Sequence, residues 1–229
     1  MFRSDASDVQ RGDLPVDQAG VPAAVAASWR TAETQVFTAL LGRPDLYQAV
    51  VALVGATVHR LRQLGPSTGA LVAAAATITT SVREARADGG LAADEIDPDL
   101  VGRAALALRH REIVGEQAAA RRRDLMAAAR ARGVGWVVLE EVGDWAGDPV
   151  VPYRRLEAHA TTGHALLVTA TPDDDFRASR HAVDVLFIDR DTGGIEQSRD
   201  HDNEPDTHPS AADREVHVRA LRERLSRPG

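Results

Sequence analysis

The apolar residues of this chain repeat with a helical period up to Arg132 and with a period of two from Trp136 to Ser198, and Gly133 and Gly135 mark the change. A segment patterned for one period cannot adopt the other structure without turning its apolar side to water, so the switch at Gly133 and Gly135 is a strong restriction. Helices come first and a sheet second, which makes this an α+β chain: an N-terminal helical bundle with a long basic helix, then an antiparallel β-meander and a terminal helix.

Before the switch, Trp29, Ala32, Val36, Phe37, Leu40 and Leu41 fall at three- and four-residue spacing, and Gly42 with Pro44 ends that stripe. Leu46, Val50, Leu53, Val54, Thr57, Val58 and Leu61 mark a second buried face, with Asp45 as the expected N-cap and Gly65-Pro66 as the stop. Ser67 is placed to cap a third helix reaching about Ala87. Asp97-Pro98 opens the long one: aspartate accepts from the orphan amides, and proline at the first helical position has no amide to leave unpaired. It is expected to run to Arg132, roughly 50 Å at about 1.5 Å per residue, with a bend or break at Gly115.

After the switch, five strands are predicted: Trp136 to Val142, Val151 to His159, His164 to Ala170, Ala182 to Asp189 and Gly194 to Ser198. Tyr153 to Ala158 alternate polar and apolar residues, the pattern of a half-exposed strand, whereas Val183 to Ile188 reads as central. Helices cover one sheet face, and the other needs the final helix, Ala211 to Leu225, or another protomer. The chain thus divides into a disordered arm (1–20), a helical region (21–133), an antiparallel sheet region (134–198), an acidic linker (199–210) and a terminal helix (211–229).

Composition removes several kinds of chemistry. The 229 residues include no cysteine, and all 27 basic side chains are arginine. Without lysine there is no P-loop, protein-kinase or Schiff-base site; without cysteine there is no thiolate nucleophile, disulfide or cysteine-ligated metal. No G-x-S-x-G or G-x-G-x-x-G motif replaces them. The N-terminus has early acids and no apolar signal region, so a cytoplasmic chain without a membrane span is expected.

Charge is uneven. Val101 to Gly133 carries a net plus five and Thr171 to Asp206 a net minus seven, the whole formal charge of the chain. Arg121, Arg122, Arg123 and Arg130 on the long helix can make forked contacts to carboxylates of a protein partner. Nucleic acid is not expected, because no aromatic residues interleave with these arginines and the chain is acidic.

The best local constellation is His159 and His164, which a four-residue hairpin loop places opposite each other, with Asp189 at the same sheet end. Two histidines and a carboxylate are the start of a divalent-metal site. Against this, strand-end histidines are commonly turn residues, and Asp189 to Gly194 has the residues of a hairpin with a positive-φ glycine rather than of a calcium loop. Asp173 to Asp175 forms an acidic loop, and Arg109 is expected to pair with Glu112 within its helix. These readings favour a non-catalytic protein-interaction module without a cofactor (adaptor, chaperone-like or regulatory) that works through a sheet face and the basic helix, binding a protein partner or itself. The alternative is a metal-dependent hydrolase or small-ligand binder using His159, His164 and Asp189.

Overall fold

The computed structural model describes residues 9–11, 21–89, 96–143, 153–172, 179–197, 206–208 and 210–226. It forms two compact units, Val16–Gln117 and Met1–Pro15 with Ala118–Gly229. The division falls inside the long helix, not at Gly133 where the period changes.

A short strand β1 (Val9–Arg11) precedes the helical unit. That unit contains α1 (Ala23–Leu41), α2 (Pro44–Gln63), α3 (Thr68–Ala75), α4 (Ile78–Gly89) and the first part of α5 (Pro98–Ala131). Its core joins Trp29, Val36, Leu53, Val82, Leu106 and Ile113 across these helices. Ala104, Ala105 and Ala107 supply small buried contacts on α5. Arg62 and Arg109 both reach Glu112, and Arg111 reaches Glu33. The expected Arg109–Glu112 pair forms at 3.0 Å.

Three local expectations change. Proline locks its own φ, so Pro44 takes the first helical position; Arg43 becomes the N-cap residue, and Asp45 pairs with Arg43 instead of capping. The third helix divides at Ala76-Thr77, where the Thr77 hydroxyl donates to the Ala74 carbonyl and the Ser81 hydroxyl to that of Thr77. Such bonds compete with the helical ladder. α5 runs without a break through Gly115, and its C-terminus closes at Gly133 (φ 71°), with Val134 N–H bonded to Ala129 O and Gly133 N–H to Arg130 O.

In the other unit, β2 (Trp136–Val142), β3 (Tyr153–His159), β4 (His164–Pro172), β5 (Ser179–Ile188) and β6 (Ile195–Gln197) pair antiparallel in chain order, the expected meander. Two strands lie where none was expected: β1, in the segment read as an arm, pairs parallel with β2, and β7 (Asp206–His208), in the segment read as a linker, pairs with β5. Three-residue strands are too short to carry a period, so no pattern announces them. The helix α6 (Ala211–Leu225) completes the unit.

Both sheet faces are covered. Met126 and Ala129 of α5 pack with Val137, Leu139, Leu156, Ala158 and Ile188 on one face. Val218 and Leu221 of α6 pack with Trp136, Leu166, Val168 and Val183 on the other. The second cover is therefore the terminal helix of the same chain. Among the described residues no helix is long and apolar enough to cross a membrane.

Candidate functional site

The β3–β4 hairpin brings His159 and His164 together as expected. Thr162 Oγ1 lies 3.2 Å from His159 Nδ1 and 3.1 Å from His164 Nδ1. The rings stand edge-on to Trp136 and Phe187, respectively. The Thr162 amide donates to His159 Nδ1 at 3.3 Å, so that nitrogen is an acceptor and the ring proton belongs on Nε2. The lone pair a metal would need is occupied by the turn. Burial, with the neighbouring His164, holds the His159 imidazole below its ordinary pKa.

Asp189 does not complete a trio with them. Its Oδ1 accepts the amides of Asp191 (2.8 Å) and Thr192 (3.1 Å), and those bonds hold the carboxyl below the usual carboxylate range. Among the described residues no group of three or more His, Asp or Glu side chains can hold a metal ion. His181 pairs in register with Ala170, at the other end of the sheet. Asp173 to Asp175 lie outside the described residues.

The arginine cluster does not form one surface. Successive helical residues point in different directions, about 100° apart. Arg122 turns inward, 9% exposed, and donates from Nε to Gly193 O (2.9 Å) and from Nη1 to Glu140 Oε1 (2.6 Å). It fastens the β5–β6 turn to α5 instead of waiting for a partner. Arg123 is exposed and bonds to the adjacent Asp124, while Arg121 and Arg130 are half-buried.

A further polar constellation is one that the alternation in β3 misassigns. Arg155 and Glu157, expected on a solvent side, lie under α6. Glu157 is fully buried and accepts a forked pair of bonds from Arg222 Nε (2.7 Å) and Nη2 (2.6 Å), with Arg155 Nε at 3.4 Å. Arg214, also fully buried, has Nη1 2.7 Å from His181 Nδ1 and its guanidinium 5.3 Å from the centre of the Tyr153 ring. Tyr153 OH bonds to Glu141 Oε1 at 3.1 Å, and burial pushes its pKa up. Burial also pulls down the pKa of Arg214. Forked ion pairs and a stacked guanidinium are geometry for fixing a helix on a sheet. A sequence signal existed: Arg214 stands in phase with Val218, Leu221 and Leu225, so the buried stripe of α6 begins on a charge.

The helical unit carries an open groove of about 420 Å³ lined by Glu33, Thr34, Phe37, Thr38, Leu41 and Arg111. Arg111 and Glu33 close one part of it with two bonds of 2.8 and 2.5 Å. Leu41, the last residue of α1, is 85% exposed. Its place in the apolar stripe predicts burial; the stripe is one position too wide, and Leu40 takes the core. No family model, curated protein or solved structure matches the chain.

Proposed function

We propose that this chain is a non-catalytic protein-interaction module, an adaptor, chaperone-like or regulatory component. The α1–α5 groove carries this reading. It offers Phe37 and the exposed Leu41 beside an ion pair, an apolar anchor site with a polar rim of the kind protein segments use. The sheet faces and Arg122 are already engaged within the chain, so the binding surface moves from the sheet and basic helix to this groove. The histidine pair gives the hydrolase reading no support, because the His159 lone pair and the Asp189 carboxylate serve their own turns.

A photo-cross-linking residue at Thr38 tests the groove in cells that make the protein. Adducts that form with the native sequence and disappear with Leu41→Arg are expected. Adducts indifferent to Leu41→Arg, or none at all, would remove the groove as the binding surface.

A further inference from the structure

α2 presents an outward seam that the described chain leaves exposed, with Asp45 bonded to Arg43 at one end and Arg62 to Glu112 at the other. Asp45, Gln48, Ala52, Gly55, His59 and Arg62 are all exposed and follow one another at alternating three- and four-residue spacing. That is the spacing of a helix packed lengthwise on another helix. Between Leu46 and Val58 there is no charged residue, in a chain whose charged fraction is 27%. An uncharged centre with charges at its ends is the composition of an interface core and rim.

Gly55 sharpens the point. Glycine inside a helix lowers stability relative to alanine, so it calls for a local reason. At Gly102 the reason lies within the chain, since a Cβ there would fall 2.6 Å from Ile78 Cγ1. At Gly55, as at Gly115 of α5, nothing lies within 4 Å of the Cβ position. A second helix backbone approaching that spot would supply the reason.

We propose that α2 packs antiparallel against α2 of a second copy of this chain. A two-fold axis level with the Leu53–Val54 peptide pairs the seam with itself: Ala52 meets Gly55 of the second copy, Gln48 meets its His59, and Asp45 meets its Arg62. Each contact occurs twice by symmetry. The small central residues let the helices approach closely, the amide and imidazole can exchange a hydrogen bond, and at both ends Asp45, whose oxygens also accept from Arg43 of its own chain, meets the opposite charge of Arg62. Arg62 directs Nε and Nη2 to Glu112, which leaves Nη1 for the incoming carboxylate. Antiparallel packing also sets the N-terminal Asp45 beside the basic last turn of the other helix, in agreement with the helix dipoles. This self-complementarity selects a second copy over an unrelated helix. The pairing is independent of the α1–α5 groove.

Sedimentation velocity across concentrations reads the dimer directly. Gly55→Glu should weaken association at least about tenfold while the thermal midpoint of the monomer holds or rises, because glutamate is the better helix former. The absence of native cysteine allows a register test in the full chain: Ala52→Cys mixed with Gly55→Cys should oxidise to a mixed disulfide in preference to either homodimer. Leu41→Arg should leave the dimer intact. A chain that stays monomeric at about 0.5 mM, where even a weak association of this type registers, would overturn the proposal. So would a dimer undiminished by Gly55→Glu, or disulfides with no preference for the mixed pair.

Discussion

Single residues in this chain do work that their types alone do not announce. Gly193 combines a positive φ of 73° with a Cβ position 1.9 Å from Ala119 O, so a side chain there meets backbone on one side and strain on the other. Gly193→Ala should cost about 2–4 kcal/mol in denaturant unfolding, set by strain and a forced shift of the β5–β6 turn. Gly194→Ala, whose Cβ would meet only the Thr192 hydroxyl at 3.2 Å, is the control and should cost clearly less. The turn itself was legible, because Asp-x-x-Thr-Gly carries its own chemistry; the close approach of α5 was not, because it joins residues far apart in sequence. Titration gives a second residue-scale result. Burial, then the charge of Arg30, depresses the His110 pKa, and burial with His164 depresses that of His159. Above the ordinary imidazole value of 6.5 both states are neutral and the titration of neither group changes stability. As pH falls through that value the unfolded chain takes up protons that the folded chain resists, so stability declines until the lower folded pKa values are passed. Unfolding free energies measured from pH 8 to 5 should show this decline, and His110→Phe, which keeps an edge-on ring beside Trp29, should flatten part of it.

At the scale of elements, β3 explains what a sequence period conveys. Alternation reports correctly that successive residues of β3 face opposite ways, yet it assigns the polar side to water, and α6 covers that side with charges of its own. A period gives phase; what packs on each face depends on partners elsewhere in the chain. The consequence is measurable at Glu157, which holds both Arg222 and Arg155 in a fully buried position. Glu157→Leu removes the forked partner of Arg222 and leaves Arg222 and Arg155 only the longer approaches to Glu215, 3.8 and 3.9 Å, so it should cost about 3–5 kcal/mol. Adding Arg222→Met removes the guanidinium that has lost its forked partner and should recover a substantial part of that loss, so the double-mutant cycle will depart from additivity. Strictly additive losses would mean that the pair does not hold α6 in place. The helices were more legible: α2 follows its stripe, α1 follows its own up to Leu40, and Ser67 caps α3 by accepting from the Ala70 amide. They failed where a run of hydroxyl side chains or a proline at the first position overrode the stripe.

For the whole molecule, packing draws its boundary inside a continuous element. The residues of α5 up to Gln117 belong with the other helices, while Met126 and Ala129 pack with the sheet, so one helix serves two cores. The change of period at Gly133 marks where the secondary structure alters; the boundary between cores lies where the buried partners of α5 change, which no local pattern records. Each core contains an indole to report on it: Trp29 among the helices and Trp136 beneath α6. Leu106 and Leu166 are both 0% exposed, one in each set, so truncating either opens a cavity worth about 2–5 kcal/mol. In a Trp145→Phe background, with Trp29 or Trp136 as the remaining fluorophore, Leu106→Ala should shift the Trp29 transition and Leu166→Ala the Trp136 transition. If both substitutions move both transitions together, the chain unfolds as one cooperative block and the shared helix, rather than the separate cores, governs its stability.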